Sequence, residues 1–392
     1  MKLLLIITDY GSFNNFLSEV AVTMVNAGHE VHVICSPVKV INYENKYPYE
    51  QIGIKFHYSN FPRSFNIFKQ ITASKKIHTI ISQINPDLIH AHFTTGIFTT
   101  LIWRKPTQFI IGTIHGIGYP TIKRILKRKI FEMVEKFCFT KLDQIYLINQ
   151  LDYELVKATY PQKTFKYNSF GVGCDLKRFD PSALSHDFKL NFRKSLSITK
   201  NDFVLVYTGR FVAFKGFNTV IKAMIALINE AEYPNIRLIL IGGDDPAHRT
   251  GLSYEEVSFY KNSNKIIYVG FTKDVNLYLA ISDLFVFPSI KEGMPVCIME
   301  ALAMGIPVIT SDTRGCNDLI ENNFNGLLLS EEPSVSETKD AILKLYHDHS
   351  KLKKFSVNAL LKRGQYSRDH HVENQIEIYK VVALFVKESN YA

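Results

Sequence analysis

No apolar run in this chain approaches the roughly 18 residues that a membrane-crossing helix needs, although 46% of its 392 residues are hydrophobic. That absence excludes a helical span. Cysteine is sparse: Cys35, Cys138, Cys174, Cys297 and Cys316 are scattered and form no C-x-x-C pair. The pattern is that of reduced thiols in a cytosol, with no zinc site. A dinucleotide fingerprint is also missing, since Gly116-x-Gly118 and Gly171-x-Gly173 both lack the third glycine of G-x-G-x-x-G. No RNP-like, zinc-finger or basic-zipper pattern points to nucleic acid. The apolar opening, Met1 to Ile7, is ended by Asp9 without a small-residue cleavage site, and reads as a first buried strand.

What is present is the composition of a globular enzyme, with 21% charged residues and a length suited to two domains. Short apolar strands alternate with helices, the pattern of doubly wound α/β domains. Strands are predicted near 2–8, 30–35, 53–58, 87–92, 109–114 and 144–149, with helices over 13–27, 66–84 and 121–139. A second alternation predicts strands near 203–208, 236–242, 265–270, 284–288, 307–311 and 326–329. The inter-domain connection is expected at the start of the stretch 172–200, which contains Pro181 and few sustained apolar runs.

Two glutamates, Glu292 and Glu300, bracket a predicted strand-to-helix junction. Pro295 is expected at the first helical position, where a missing N–H costs nothing, with the helix running from Val296 to Met304 and stopped by Gly305. Ligands bind at such junctions in open parallel sheets, and a helix N-terminus suits a phosphate. Upstream, Arg210 and Lys215 share one loop with Gly209 and Gly216, and together can neutralise a diphosphate. Cations for a diphosphate and acids for hydroxyls describe a nucleotide-sugar site. His90 and His92 share a strand face, but without a carboxylate partner they read as strand residues.

These residues carry a resemblance. Gly209-Arg210-x4-Lys215-Gly216, Glu292-Gly293-Met294-Pro295-x4-Glu300-Ala301, Gly305-Ile306-Pro307 and Asn325-Gly326-Leu327-Leu328 resemble the C-terminal domain of family-4 glycosyltransferases. The segment Gly171 to Phe179 is similar to that family's inter-domain segment. Gly242-Gly243-Asp244-Asp245-Pro246 and Ser311 to Cys316 are similar to its capsule, O-antigen and polyprenyl-linked glycan branch. The resemblance implies the GT-B fold, two Rossmann-like domains facing a central cleft. The domains would be 1–172, joined by a returning C-terminal helix (371–392), and 173–370. It implies retaining transfer from a nucleotide-diphosphate sugar to a glycan, expected to be polyprenyl-diphosphate-linked, by an enzyme peripheral on the inner face of a cell membrane. No cofactor or metal is implied, and no D-x-D ends a candidate donor strand.

By the same resemblance Arg210 and Lys215 stabilise the leaving diphosphate. Glu292 contacts donor-sugar hydroxyls, backbone N–H groups around Gly293, Met294, Pro295 and Val296 meet sugar or phosphate, and Glu300 takes the ribose. His115, in an "HG" element with Gly116, helps position the sugar. Gly243 and Phe271 lie near the base; UDP is favoured over GDP, although no side chain chooses between them. The loop Asp9 to Phe13 keeps one glycine, Gly11, where the family often has two, so it faces donor phosphate or acceptor. Asp318 replaces a usual glutamate. A catalytically silent sugar-nucleotide-binding relative and a soluble acceptor stay open.

Residues 1–172 hold 20 Lys and Arg against 11 Asp and Glu, the whole net charge of +9. The excess is densest at 121–137, where helical spacing sets Ile122, Leu126, Ile130, Met133 and Phe137 on one face. Lys123, Arg124, Lys127 and Arg128 take the other, with Phe131 beside them. That is a basic amphipathic helix suited to an anionic membrane surface.

Overall fold

The computed structural model describes residues 1–37, 45–62, 67–105, 107–246 and 248–391, the last six as backbone only. Residue 66 of the predicted helix 66–84 and residue 392 of the returning segment lie outside the described residues. The chain divides into two compact units, Met1–Val172 with Asp369–Ala392, and Gly173–Arg368. The return comes just ahead of the expected 371.

The first unit holds β1 (Lys2–Ile6), β2 (Glu30–Cys35), β3 (Lys55–Tyr58), β4 (Leu88–His92), β5 (Ile110–Ile114), β6 (Gln144–Leu147) and β7 (Thr164–Lys166). Their order is β3-β2-β1-β4-β5-β6-β7, every neighbour parallel. The strands read as near-continuous apolar runs because both faces are covered; Leu3, Leu4, Leu5 and Ile6 of β1 are fully buried. β7 escaped sequence reading because Thr-Phe-Lys is too short and mixed to signal a strand.

The second unit holds β8 (Phe203–Thr208), β9 (Ile236–Ile241), β10 (Ile266–Gly270), β11 (Leu284–Phe287), β12 (Val308–Ser311) and β13 (Gly326–Leu329). The order β10-β9-β8-β11-β12-β13 is again all parallel. Each sheet therefore reverses its winding once, at β1/β4 and at β8/β11. Loops leaving the two strands of such a pair diverge and open a crevice at their carboxyl ends.

Several helix expectations need correction. The helix predicted over 13–27 starts at Tyr10, because Asp9 caps it by accepting from the Ser12 N–H, and it breaks at Leu17 into Tyr10–Phe16 and Ser18–Asn26. Gly11 therefore lies in a first helical turn, not on a loop. The basic helix runs Ile125–Lys141, with Arg124 as N-cap and Lys123 before it. The final helix begins at Arg368. It re-enters the first unit through buried polar contacts: Tyr379 Oη lies 2.7 Å from His90 Nδ1, Tyr167 donates to Gln375 Oε1 at 2.7 Å, and His371 Nδ1 lies 2.9 Å from Ser169 Oγ. His90 Nε2 continues the network to Thr113 at 2.7 Å.

Tyr379→Phe keeps the ring and deletes one buried hydrogen bond, so it should lower unfolding free energy by about 1 kcal/mol. Tyr379→Ala should lower it by about 3–5 kcal/mol, as a large aromatic lost from a core does. Urea titration checks both; equal effects would mean that the hydroxyl carries the whole contribution and the ring none.

Candidate functional site

The β8/β11 crevice gathers most of the residues singled out from sequence. After β8 the chain passes Gly209 and Arg210, turns through Ala213–Lys215, and enters the helix Phe217–Glu230 at Gly216. Gly216 has φ +72°, and a Cβ there would sit 2.2 Å from the Pro288 carbonyl oxygen. Only glycine lets this loop press against the one leaving β11. After β11, Ser289 to Met294 lead into the helix Val296–Ala303.

The two loops are joined by an ion pair. Lys215 Nζ donates to both oxygens of Glu292, at 2.5 and 2.7 Å, and Ser289 Oγ donates to Glu292 Oε1 at 2.7 Å. The carboxylate is nearly buried, with a side-chain exposure of 7%. Arg314 Nε holds the Glu292 backbone carbonyl at 3.0 Å. Gly315 packs against the Gly293 carbonyl, where a Cβ would come within 2.3 Å, and its N–H donates to Asp318 at 3.1 Å. Arg210 is more open: it pairs with Asp245, which also contacts His248 at 3.1 Å, and its guanidinium lies 5.4 Å from the Phe214 ring centroid. Sequence reading singled out both cations and Glu292 but not the pairings Lys215–Glu292 and Arg210–Asp245. Asp245 follows β9 and Ser289 follows β11, so neither adjacency shows in one dimension.

Two helix N-termini open on the same crevice without side-chain caps, at Gly216 and at Pro295. Pro295 is the N-cap, extended at ψ 110°, not the expected first helical residue. Its carbonyl accepts from Ile298 at 3.2 Å. The other end closes as expected on Gly305: the Ile306 N–H reaches the Ala301 carbonyl at 2.9 Å, and the Gly305 N–H reaches Leu302 at 3.0 Å. Met304 is the C-cap and not a helical residue.

Glu300 lies on this helix without a hydrogen-bond partner for its carboxyl among the described residues. Burial pushes that carboxyl up to about 7, partly offset by Arg368 and Arg178. Gly243 and Phe271 follow β9 and β10. Gly243 has open space around its Cα, and Phe271 is 68% exposed.

In the first unit, His115 follows β5. Burial holds its imidazolium down to about 3, with His371 adding to the effect. Beyond Gly116, three successive N–H groups each end on a buried carboxylate: Ile117 on Asp152 at 2.9 Å, and Gly118 and Tyr119 on Glu135 at 2.8 and 3.1 Å. Glu135 belongs to the basic helix, so this loop is tied to that element. The helix buries Glu135, Cys138 and Phe139 and leaves its first half outside. Ile125, Leu126 and Met133 are 65%, 75% and 66% exposed, beside exposed Lys123, Arg124, Lys127 and Arg128. The expected apolar face thus packs only toward its end. Lys127 Nζ lies 5.8 Å from the Phe131 ring centroid.

Two doubly wound parallel domains with a nucleotide-type crevice define the GT-B class. The structure is similar to Anabaena Alr3699/HepE, solved in complex with UDP and glucose, with a TM-score of 0.74 and 18% identity over 98% of this chain and 99% of that one. Residues 2–149 match the family described as glycosyl transferase 4-like, and residues 188–362 match glycosyl transferases group 1. The chain belongs to this group 1, family-4-like set of glycosyltransferases.

Among its relatives is the UDP-Gal:alpha-D-GlcNAc-diphosphoundecaprenol alpha-1,3-galactosyltransferase of Escherichia coli, 25% identical over 73% of each chain. Another is the N,N'-diacetylbacillosaminyl-diphospho-undecaprenol alpha-1,3-N-acetylgalactosaminyltransferase of Campylobacter jejuni. It is 26% identical over 84% of this chain and 86% of the relative.

A carboxyl raised by folding holds its proton more tightly in the folded chain. Glu300 therefore costs stability as pH climbs from the ordinary carboxylate range through about 7. Glu300→Gln should match wild type in stability at pH 4 and exceed it above pH 8, by on the order of 3 kcal/mol. A difference that stays flat across denaturation curves at several pH values would show that Glu300 titrates normally.

Proposed function

We propose that this glycosyltransferase moves a hexosyl or N-acetylhexosaminyl group, with retention and without a metal, from a nucleotide-diphosphate sugar to a polyprenyl-diphosphate-linked glycan. The observation that carries the reading is the β8/β11 crevice, where Lys215, Glu292 and two uncapped helix N-termini meet. Transfer breaks the bond between the anomeric carbon and a diphosphate oxygen, and charge grows on that oxygen. Lys215 has three N–H bonds and spends two on Glu292, leaving one for the diphosphate. Arg210 and the helix N–H groups add to this stabilisation, which acts most where charge develops.

Glu292, held by Lys215 and Ser289, takes donor-sugar hydroxyls near Gly293 and Met294. Glu300 accepts from the ribose, Gly243 and Phe271 border the base, and His115 positions the transferred sugar. UDP is favoured because the Escherichia coli relative is named for UDP-Gal. The same names motivate a lipid-linked acceptor.

The basic helix fits that acceptor. Exposed Ile125, Leu126 and Met133 beside Lys123, Arg124, Lys127 and Arg128 form an apolar and cationic surface. Each cation near an anionic leaflet contributes about 1 kcal/mol. No helix among the described residues is long and apolar enough to cross a membrane, so docking would be peripheral.

Calorimetry with UDP, GDP and their sugar conjugates tests the donor site. UDP should bind saturably, and Glu300→Ala should weaken it by about 10- to 100-fold, the worth of a charge-assisted hydrogen bond. A folded protein that binds no nucleotide would withdraw Arg210, Lys215 and Glu300 as donor ligands. In vesicle flotation the protein should rise with anionic liposomes at low salt and stay behind when Lys127 and Arg128 are both changed to Glu. Indifference to anionic vesicles would remove the docking role.

A further inference from the structure

His115 is gripped in a way that its assignment to the transferred sugar does not require. His92 ends β4 and pairs in register with Thr113 of the neighbouring β5, so its ring reaches the residue just past that strand. His92 Nδ1 lies 3.2 Å from His115 Nε2. His92 is also the N-cap of the helix Phe93–Leu101, yet its side chain caps nothing there. Phe93 sits at φ +61°, a left-handed conformation that strains an aromatic residue and persists only where its surroundings enforce it. That kink lays the Phe93 ring over His115, with centroids 4.3 Å apart and an interplanar angle of 28°. Phe16 closes on it at 5.4 Å.

We propose that His92 is a positioning residue that fixes the tautomer of His115, so that His115 offers Nδ1–H as a hydrogen-bond donor. This rests on the reading that His115 meets the transferred sugar, and it names the atom and polarity of that contact.

Burial keeps both imidazoles neutral, so one proton is shared across the His92–His115 contact. If His115 Nε2 carried it, His92 would hold its own proton on Nε2. That nitrogen is buried and has no partner among the described residues, and His92 is 1% exposed. A buried N–H left without an acceptor is rare, because the group loses its water and gains nothing in return. If His92 Nδ1 carries the shared proton, its Nε2 is a bare lone pair, the cheaper orphan. His115 then accepts at Nε2 and bears its proton on Nδ1, which has no partner among the described residues. A donor at that atom suits a sugar hydroxyl or ring oxygen as acceptor.

The test is ¹⁵N-histidine labelling with long-range ¹H–¹⁵N correlation at pH 7, His115 being assigned by its loss in His115→Ala. Wild type should show His115 protonated on Nδ1. His92→Asn places an amide N–H where Nδ1 was, and should keep both the tautomer and kcat within about threefold. His92→Gln and His92→Phe supply no donor at that point. They should shift His115 toward the other tautomer and lower kcat about tenfold or more, the worth of one hydrogen bond. KM should change little in UDP release from UDP-galactose or UDP-N-acetylgalactosamine. Unchanged UDP affinity would confirm that these variants fold. Wild-type His115 protonated on Nε2, or an unchanged tautomer in His92→Phe, would overturn the proposal. Full kcat in His115→Ala would instead overturn the assignment of His115 to the sugar and leave the tautomer result standing.

Discussion

The Lys215–Glu292 pair is the constraint around which the second unit's crevice is built. Parallel strands on either side of a winding reversal send their loops apart, and a crevice made that way has no intrinsic reason to keep its shape. Here a bidentate contact between a nearly buried carboxylate and an ammonium ties the β8 loop to the β11 loop. Removing one partner of such a pair leaves an uncompensated charge and costs about 3–5 kcal/mol. The surrounding devices depend on it: Gly216 against Pro288, Gly315 against Gly293, and the Arg314 clasp on the Glu292 carbonyl.

The pairing also changes the charge picture. Read singly, Arg210 and Lys215 make an electropositive loop; read with Asp245 and Glu292, they are locally balanced. A crevice that is neutral at its cations does not hold an anion by net charge alone. On the proposed reading, a diphosphate would be taken by geometry, through an N–H left over on Lys215 and two helix ends without side-chain caps. Glu300 contributes in the opposite sense, as a carboxyl that burial holds near neutrality. The two glutamates of one motif thus differ in setting: Lys215 hydrogen-bonds Glu292 directly, whereas Arg368 and Arg178 act on Glu300 through charge, without a hydrogen bond among the described residues.

Strands were legible wherever they were apolar and long enough. β8 to β13 appear within a residue or so of their expected bounds because buried parallel strands announce themselves as Val-, Ile- and Leu-rich runs. β7 and the helix Phe93–Leu101 were missed: one is three residues long, and the other follows β4 with no turn residue to mark it. Cap chemistry decided the finer errors, with Asp9 drawing a helix start to Tyr10 and so taking in Gly11, and Pro295 serving as N-cap. The site residues were visible as types at motif spacing, but their pairings were not. Lys215 and Glu292 are 77 positions apart, and only the strand order makes them neighbours. His92 looked like a strand residue because its contact with His115 depends on the register with β5.

The returning helix has a consequence for how the chain is made. His90 and Tyr379 are separated by 289 positions, and the whole second unit is synthesised between them. At about 5–20 residues per second, a ribosome needs roughly 15–60 s to cover that interval. Until then the histidine-lined interior of the first unit lacks the partners that satisfy it. The first domain to emerge is therefore the last to be finished, and the usual order of folding along the nascent chain is reversed.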